Sequence, residues 1–333
     1  MKRFYFIIPY FENTKTGGTL YDLFISIYLR NKFIFPIKKI VSHKISIIKL
    51  ARLINTIPRG SIILLDGFIA NKIKYHINIK NKVNLLIHLP CSLEHSPNKF
   101  SDIKKYFDER RSFNRADKII TVSNYMKKEI LKYLDGYKKI FVAKPGIDEK
   151  FFINIKHNAN ANLLSIGNII PRKGYMTLIK ALKEVDGNWH LNIIGSTELD
   201  KEYFIKLKFL IKELKLENKI SFLGTLPSEK IVKYIKISRI FVLPTLYESF
   251  GMSILECSIA GLKIITTDLP VLREVLKGKH ATFVKKNEIS SLSNAIQVNL
   301  NYNGEETHEN IYDKSKYNWA VPARIIRKAI NEF

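Results

Sequence analysis

Short, unbroken runs of Ile, Val, Leu and Phe recur along this chain, each followed by a stretch with helical spacing. That alternation restricts the fold more than any other feature. The runs cover 4–8, 61–65, 83–87, 118–122 and 140–142, then 162–166, 190–194, 220–222, 240–243 and 263–266. Runs without polar alternation suit strands buried on both faces, as in parallel sheets. Helical spacing appears over 19–30, 103–116, 124–134, 175–184, 201–214, 229–236, 252–260 and 292–299. Strand and helix in strict alternation predict a doubly wound α/β architecture.

The series pauses once, at VAKPGIDEKFF (142–152), where a Pro-Gly turn leads into the polar HNANAN. We therefore expect an N-terminal domain over 1–150, a second domain over 151–315, and a terminal helix over 316–333 with the option of crossing back to the first. Pro322 fits that helix only near its first turn. A length of 333 residues with 46% hydrophobic content supplies two cores. Open sheets of this kind bind ligands beyond the carboxyl ends of their strands. Two such domains would face each other across a cleft, so the residues just after strands are the ones to inspect.

Cys91 and Cys257 are the chain's cysteines, without a CxxC or Cys/His cluster. Neither a disulfide framework nor structural zinc is expected, and a reducing cytoplasm fits. The opening MKRFYFIIPYF is too short and aromatic for a leader peptide. No apolar run reaches the ~18 residues needed to span a bilayer. We expect a soluble or peripheral cytoplasmic protein, the latter at the inner face of the cell membrane. A net charge of +25 suits a phosphate-rich partner. The lysines are spread along the whole chain, which disfavours nucleic acid. An anionic membrane surface and simple enrichment in Lys, Ile and Asn remain as the two readings.

Four segments carry candidate chemistry. In YESFGMSILECSIAG (247–261), Glu248 and Glu256 bracket Ser249, Phe250, Gly251 and Met252. The segment follows a strand and opens a helix at Met252, whose free N–H groups form an anion site. Gly251 permits close backbone approach. Glu256, about one turn into the helix, is suited to a pair of sugar hydroxyls; the plain alternative is an acid serving the helix dipole. In SIGNIIPRKGYMTLIKAL (165–182), Arg172 and Lys173 sit where a strand hands over to a helix and could neutralise two phosphates. A surface turn is the plain alternative. In TKTGGTLYDL (14–23), Gly17 and Gly18 open a helix, and the pattern is neither GxGxxG nor a Walker A loop. In VNLLIHLPCSLEH (83–95), His88 ends a buried strand, either as a packed cap or as a group facing substrate. Glu94 and His95 are candidates for acceptor contact, and Asp66-Gly67 reads first as a turn.

Together these segments resemble the family 4 glycosyltransferases, retaining enzymes of the GT-B fold, and look closest to a bacterial branch. The order TGG, LLDGF, IHLP, ADKIITVSNYMKKEI, VAKPGID, GNIIPRKG, LNIIGS, FVLPTLYESFGMSILECSIAG and TTDLPVLREV spans nearly the whole chain. The resemblance implies that Lys173 binds the donor diphosphate. It implies that Ser249 to Met252 hold the distal phosphate and sugar, and that Glu256 binds the ribose hydroxyls. Glu248 would face the transferred sugar, Gly17-Gly18 the phosphates, and His88 the reaction centre. Where many members carry arginine after the first glycine of the GxxxxKG segment, this chain has Asn168, so Arg172 is the substitute cation.

The reading is a retaining transferase that moves a sugar from a UDP- or GDP-linked donor to a glycan or lipid-linked acceptor in cell-surface polysaccharide or glycolipid synthesis. No metal and no further cofactor are expected. The alternatives are a GT-B-shaped nucleotide-sugar epimerase or inactive subunit and, from charge alone, a basic nucleic-acid-binding protein.

Overall fold

A computed structural model describes residues 3–9, 16–32, 37–42, 47–73, 81–93, 99–153, 155, 162–302 and 313–331. Glu94 and His95 lie outside the described residues. The chain forms two compact units, Met1–Gly146 with Lys316–Phe333, and Ile147–Ser315.

Among the described residues, the first unit alternates β1 (Phe4–Pro9), α1 (Gly17–Lys32), β2 (Ile37–Ser42), α2 (Ile47–Asn55), β3 (Ile62–Asp66) and α3 (Gly67–Ile73). It continues with β4 (Lys82–Ile87), α4 (Lys99–Arg115), β5 (Lys118–Thr121), α5 (Asn124–Leu131) and β6 (Ile140–Val142). The strands pair in parallel in the order β2-β1-β3-β4-β5-β6. Alternate residues point to opposite faces. Tyr5, Ile7, Ile63, Leu65, Leu85 and Ile87 share one core cluster with Leu50, Ile54, Ile69, Phe113 and Ile130, so α2 to α5 cover that face.

The second unit runs β7 (Asn162–Ile166), α6 (Tyr175–Lys183), β8 (His190–Ile194), α7 (Lys201–Glu213), β9 (Ile220–Phe222) and α8 (Ser228–Ile237). There follow β10 (Ile240–Leu243), α9 (Met252–Ile259), β11 (Lys263–Thr267), α10 (Pro270–Val275), β12 (Ala281–Val284) and α11 (Ile289–Asn301). Its parallel sheet has the order β12-β11-β10-β7-β8-β9. The central β10 and β11 are buried along their whole length.

The last helix, α12 (Ala320–Asn331), packs on α1, β5 and β6. Trp319, just before it, stacks on Phe24 at 4.7 Å between ring centroids and meets Tyr21 edge-on. Gly146 is required by that ring, since a Cβ there would lie 2.6 Å from Trp319 Cγ. Pro322 falls in the first turn of α12, where its missing N–H costs nothing.

The structure adds strands that the sequence did not suggest, β2 and β12, each at an edge of its sheet. IKKIVS carries lysines and ATFV is only partly buried, as suits strands paired along one side.

Candidate functional site

Each sheet gathers polar side chains just beyond its strand ends, and the two groups differ in kind. In the second unit, the chain leaves β7 through Gly167 and makes a single helical turn, Pro171–Lys173. It then turns through Gly174 (φ 74°) into α6. A Cβ on Gly174 would fall 2.0 Å from the Pro244 carbonyl oxygen, so only glycine allows this loop to lie on the end of β10. The contact is sealed by Leu246 N and Thr245 Oγ1, which donate to the Arg172 carbonyl at 2.7 and 3.1 Å.

This packing places Arg172 and Lys173 against the loop that follows β10. Lys173 Nζ donates to Glu248 Oε1 at 2.5 Å. Arg172 Nη1 donates to the Tyr247 carbonyl at 2.7 Å and lies 3.6 Å from Glu248 Oε2. The side chains of Lys173 and Glu248 are only 13% and 7% exposed. Burial draws the Lys173 ammonium below its usual range, with Arg172 adding to the effect against the pull of Glu248. Burial alone would raise Glu248, but two cations outweigh it and hold the carboxyl below the ordinary glutamate value. Glu248 therefore stays ionised between Arg172 and Lys173.

Four residues on, Met252 begins α9. Its N-cap is Gly251 (φ 90°), with no side-chain capping bond. By contrast, α7 is closed by Asp200, which accepts from Tyr203 N at 2.9 Å. The start of α9 is held in place instead by Ser253 Oγ, which donates to the carbonyl of Ile166 at the end of β7 (2.9 Å). Uncapped N–H groups at a fixed helix start suit an anion. Phe250 is buried, so this loop offers its backbone rather than that ring. Glu256, one turn further, is half-buried; burial, reinforced by Asp148, pushes its carboxyl up to about 7.

In the first unit, His88 follows β4 and its ring packs over Gly18, where a Cβ would lie 3.2 Å from His88 Cδ2. Gly18 thus makes room for the imidazole at the start of α1. His88 Nε2 is 2.8 Å from Asp22 Oδ1 and 3.6 Å from Asp66 Oδ2. Asp66 Oδ1 also accepts from Phe68 N at 2.9 Å, capping α3. Burial, with help from Asp22, lifts Asp66 to about 7. Burial opposes protonation of His88, yet Asp22 and then Asp66 overcome it and raise the imidazole above its usual value. One donor atom from each residue lies within 4.8 Å of the others, the grouping among the described residues that could hold a cation. In the structure His88 Nε2 is within hydrogen-bond distance of Asp22 and within ion-pair range of Asp66.

The structure thus brings Arg172, Lys173 and Glu248 together, with Ser249 to Met252 continuing into the open helix start and Glu256 on the same helix. It groups His88 with Gly18 in the other unit, where Gly17 begins α1. Sequence reading gave Asp22 no role of its own and took Asp66 first as a turn. Asp66 does cap a turn, but it also faces His88; its signal was its place at a strand end, the same place that His88 holds.

The model of the glycosyl transferases group 1 family matches residues 146–317. The chain belongs to that family. The group 1 match covers the unit that carries Arg172, Lys173, Glu248 and Glu256. Among curated proteins, the O-antigen chain mannosyltransferase RfbU of Salmonella typhimurium is 27% identical over 190 residues, 56% of this chain. The match spans about half, 52%, of that relative's length. Among solved structures, sucrose-phosphate synthase of Thermosynechococcus elongatus aligns over 99% of this chain and 95% of its own, with TM-score 0.76 and 14% identity. HepE of Anabaena, solved in complex with UDP-glucose, covers 99% and 96% with TM-score 0.71 and 15% identity. These two likenesses establish the fold, a pair of parallel-sheet Rossmann-like domains of the GT-B type.

Proposed function

We propose that this chain is a retaining, family 4-like glycosyltransferase that moves a sugar from a nucleoside diphosphate sugar to a hydroxyl of a glycan or lipid-linked acceptor, in cell-surface polysaccharide or glycolipid synthesis. One observation carries the reading: two cations, Arg172 and Lys173, are locked by Gly174 onto a strand end whose following loop opens an uncapped helix. A diphosphate is the ligand whose charge and size match that pairing. The group 1 membership supports it, as does the UDP-glucose named for HepE.

The bond to break joins the anomeric carbon to a phosphate oxygen. Negative charge that builds on that oxygen meets Lys173, Arg172 and the N–H groups at the start of α9, in positions fixed before the reaction. Glu248 keeps both cations oriented and faces the donor sugar. Glu256 accepts hydrogen bonds from the ribose hydroxyls in its ionised form. The acceptor oxygen bonds to the anomeric carbon on the face that the phosphate leaves, and its proton passes to the departing phosphate oxygen. The cluster of His88, Asp22 and Asp66 serves the transferred sugar and acceptor. Cationic side chains supply the phosphate countercharge, so no metal is required. The site of action is the cytoplasm or the inner membrane face; no helix among the described residues is long and apolar enough to cross a membrane.

A panel of UDP- and GDP-sugars, scored by thermal stabilisation, tests the reading. One or more should raise the melting temperature, and Lys173→Ala should remove most of the rise. A panel without effect on the wild-type chain, or a shift that survives Lys173→Ala, overturns the assignment. Transfer without inversion, read by NMR of the product anomer, separates a retaining transferase from an epimerase, which would need no acceptor.

A further inference from the structure

The chain has two tryptophans, Trp189 and Trp319, each 3% exposed, and they are held in opposite ways. Trp189 Nε1 donates to the Val185 carbonyl at 3.0 Å. The Trp319 indole N–H is buried with no hydrogen-bond partner among the described residues. A buried donor left unanswered destabilises the fold, and a phenylalanine would carry no such donor. Stability alone therefore does not account for an indole at this position. Its ring contacts show what else it does.

Trp319 stands shortly after the chain re-enters the first unit at Lys316, and its ring lies over Gly146, where the chain leaves that unit. From there its contacts run along α1. The indole stacks on Phe24 and meets Tyr21 edge-on, with ring centroids 5.5 Å apart and planes at 68°. Tyr21 in turn meets the His88 ring edge-on, at 5.1 Å and 75°. Gly18, Tyr21 and Asp22 fall at spacings of three and four residues, on one face of α1. Gly18 lies against the imidazole, Asp22 bonds its Nε2 at 2.8 Å, and Tyr21 bears on it from the side.

The far end of Tyr21 is fixed as well. Its hydroxyl donates to the Ala143 carbonyl at 2.8 Å, close to the end of β6. Burial, with Asp22 adding to it, raises Tyr21 well above the ordinary phenol range, so the hydroxyl keeps the proton that it donates. Lys118 Nζ donates to the Ala329 carbonyl at 2.7 Å and secures the helix that follows Trp319. Both rings are thus anchored on the segment 143–146, Tyr21 at Ala143 and Trp319 at Gly146.

We propose that Tyr21 and Trp319 are positioning residues for His88: they brace the first turns of α1 against the segment 143–146 and so hold the imidazole in its bond with Asp22. The charged groups that face His88 are Asp22 of α1 and Asp66 at the end of β3, and the brace adds no charge to them. It fixes geometry, and a displacement of about 1 Å at a reacting group can cost on the order of a hundredfold in rate. The inference rests on the proposed place of His88 at the reaction centre, but the brace itself can be read without a donor.

Imidazole nitrogen signals of the full chain labelled in histidine, with His88 assigned through His88→Gln, read its bond to Asp22 and are little moved by nearby ring currents. Trp319→Phe and Tyr21→Phe should each move the His88 signals by more than a linewidth. The double variant should move them no further than the larger single change. Trp319→Phe should melt within about 3 °C of wild type, because removal of the unanswered N–H offsets the lost ring volume. Trp189→Phe loses an answered bond, so it should melt lower and leave His88 where it is. With the donor that the sugar panel identifies, Trp319→Phe should lower kcat about tenfold and keep the donor KM within about twofold. The proposal is overturned by His88 signals that Trp319→Phe does not move, by shifts that simply add in the double variant, by Trp189→Phe moving them as far, or by an unchanged kcat. A wild-type chain that transfers no sugar would overturn the transfer reading instead, since the His88 signals need no donor.

Discussion

The two sheets end in the same way, with side chains placed just past parallel strands, yet they assemble opposite chemistry there. Past β7 and β10, two cations surround one carboxylate, and the nearby helix start is left uncapped. Past β3 and β4, Asp66 and His88 meet Asp22 of α1, so that two carboxylates flank one imidazole, and the nearby helix start is capped by Asp66 itself. The first arrangement has spare positive charge and open N–H groups; the second has settled its charge internally. A shared topology fixes where a site lies, and the residue type at each strand end decides what it takes.

The largest effect that would break this comparison belongs to the loop that carries the cations. Gly174 and Gly278 have the same φ of 74°, but a Cβ on Gly278 meets nothing within 4 Å. Gly278→Ala should cost about 1 kcal/mol, the strain of the left-handed backbone alone. Gly174→Ala adds a clash with the Pro244 carbonyl and should cost about 3 kcal/mol or more. It should also abolish nucleotide-sugar stabilisation. Denaturant unfolding of both variants checks this; equal costs would mean that the loop is not held by β10.

Next comes the ion pair. Lys173→Ala leaves Glu248 buried with Arg172, at 3.6 Å, as its remaining cation, at a cost of about 3 kcal/mol. Lys173→Ala with Glu248→Gln should recover much of the stability and none of the donor binding. A double variant no more stable than Lys173→Ala would show that the pair is not what fixes this site.

A smaller effect tests the imidazole cluster. Asp22→Asn removes the nearer acid, so both His88 and Asp66 should titrate lower, as NMR can follow. The stability tied to a raised His88 is present below its unfolded pKa near 6.5 and fades as pH rises through the higher folded value. Asp22→Asn should cost about 1–2 kcal/mol at mildly acid pH and little once His88 is neutral in both chains. An unchanged His88 titration would remove Asp22 from the account.

How much of this could be read in the sequence follows the same contrast. The inner strands 162–166, 190–194 and 240–243 were legible because burial on both faces leaves unbroken apolar runs, and they match the structure residue for residue, as do the partly buried edge strands 140–142 and 220–222. β2 was hidden by Lys38 and Lys39, and α3 and α10 by being only seven and six residues long. Arg172, Lys173 and Glu248 were each visible from local pattern. Their pairing across 75 residues was not, because no local spacing encodes it. The bond of His88 to Asp22, 66 residues apart, was missed for the same reason.

The smallest expected effect sharpens the comparison most, because Glu256 is the one acid of the second unit's site that no cation answers among the described residues. Its carboxyl is raised to about 7 by burial and then by Asp148. A carboxyl raised in this way favours the folded chain while protonated, so its contribution is complete below about 4.5 and is lost as pH rises through about 7. Glu256→Gln stays neutral throughout and should flatten that dependence, gaining on the order of 1 kcal/mol over wild type at pH 8 once partial exposure is allowed for. Donor binding should run the other way. Ribose hydroxyls need an ionised acceptor, so wild-type affinity should climb from pH 6 to pH 8 while that of Glu256→Gln stays low and flat. The same residue then weakens the free chain and strengthens the complex as pH rises, a crossing that an acid serving only the helix dipole would not produce. If wild type and Glu256→Gln bind the nucleotide sugar with parallel pH profiles, Glu256 does not face the ribose.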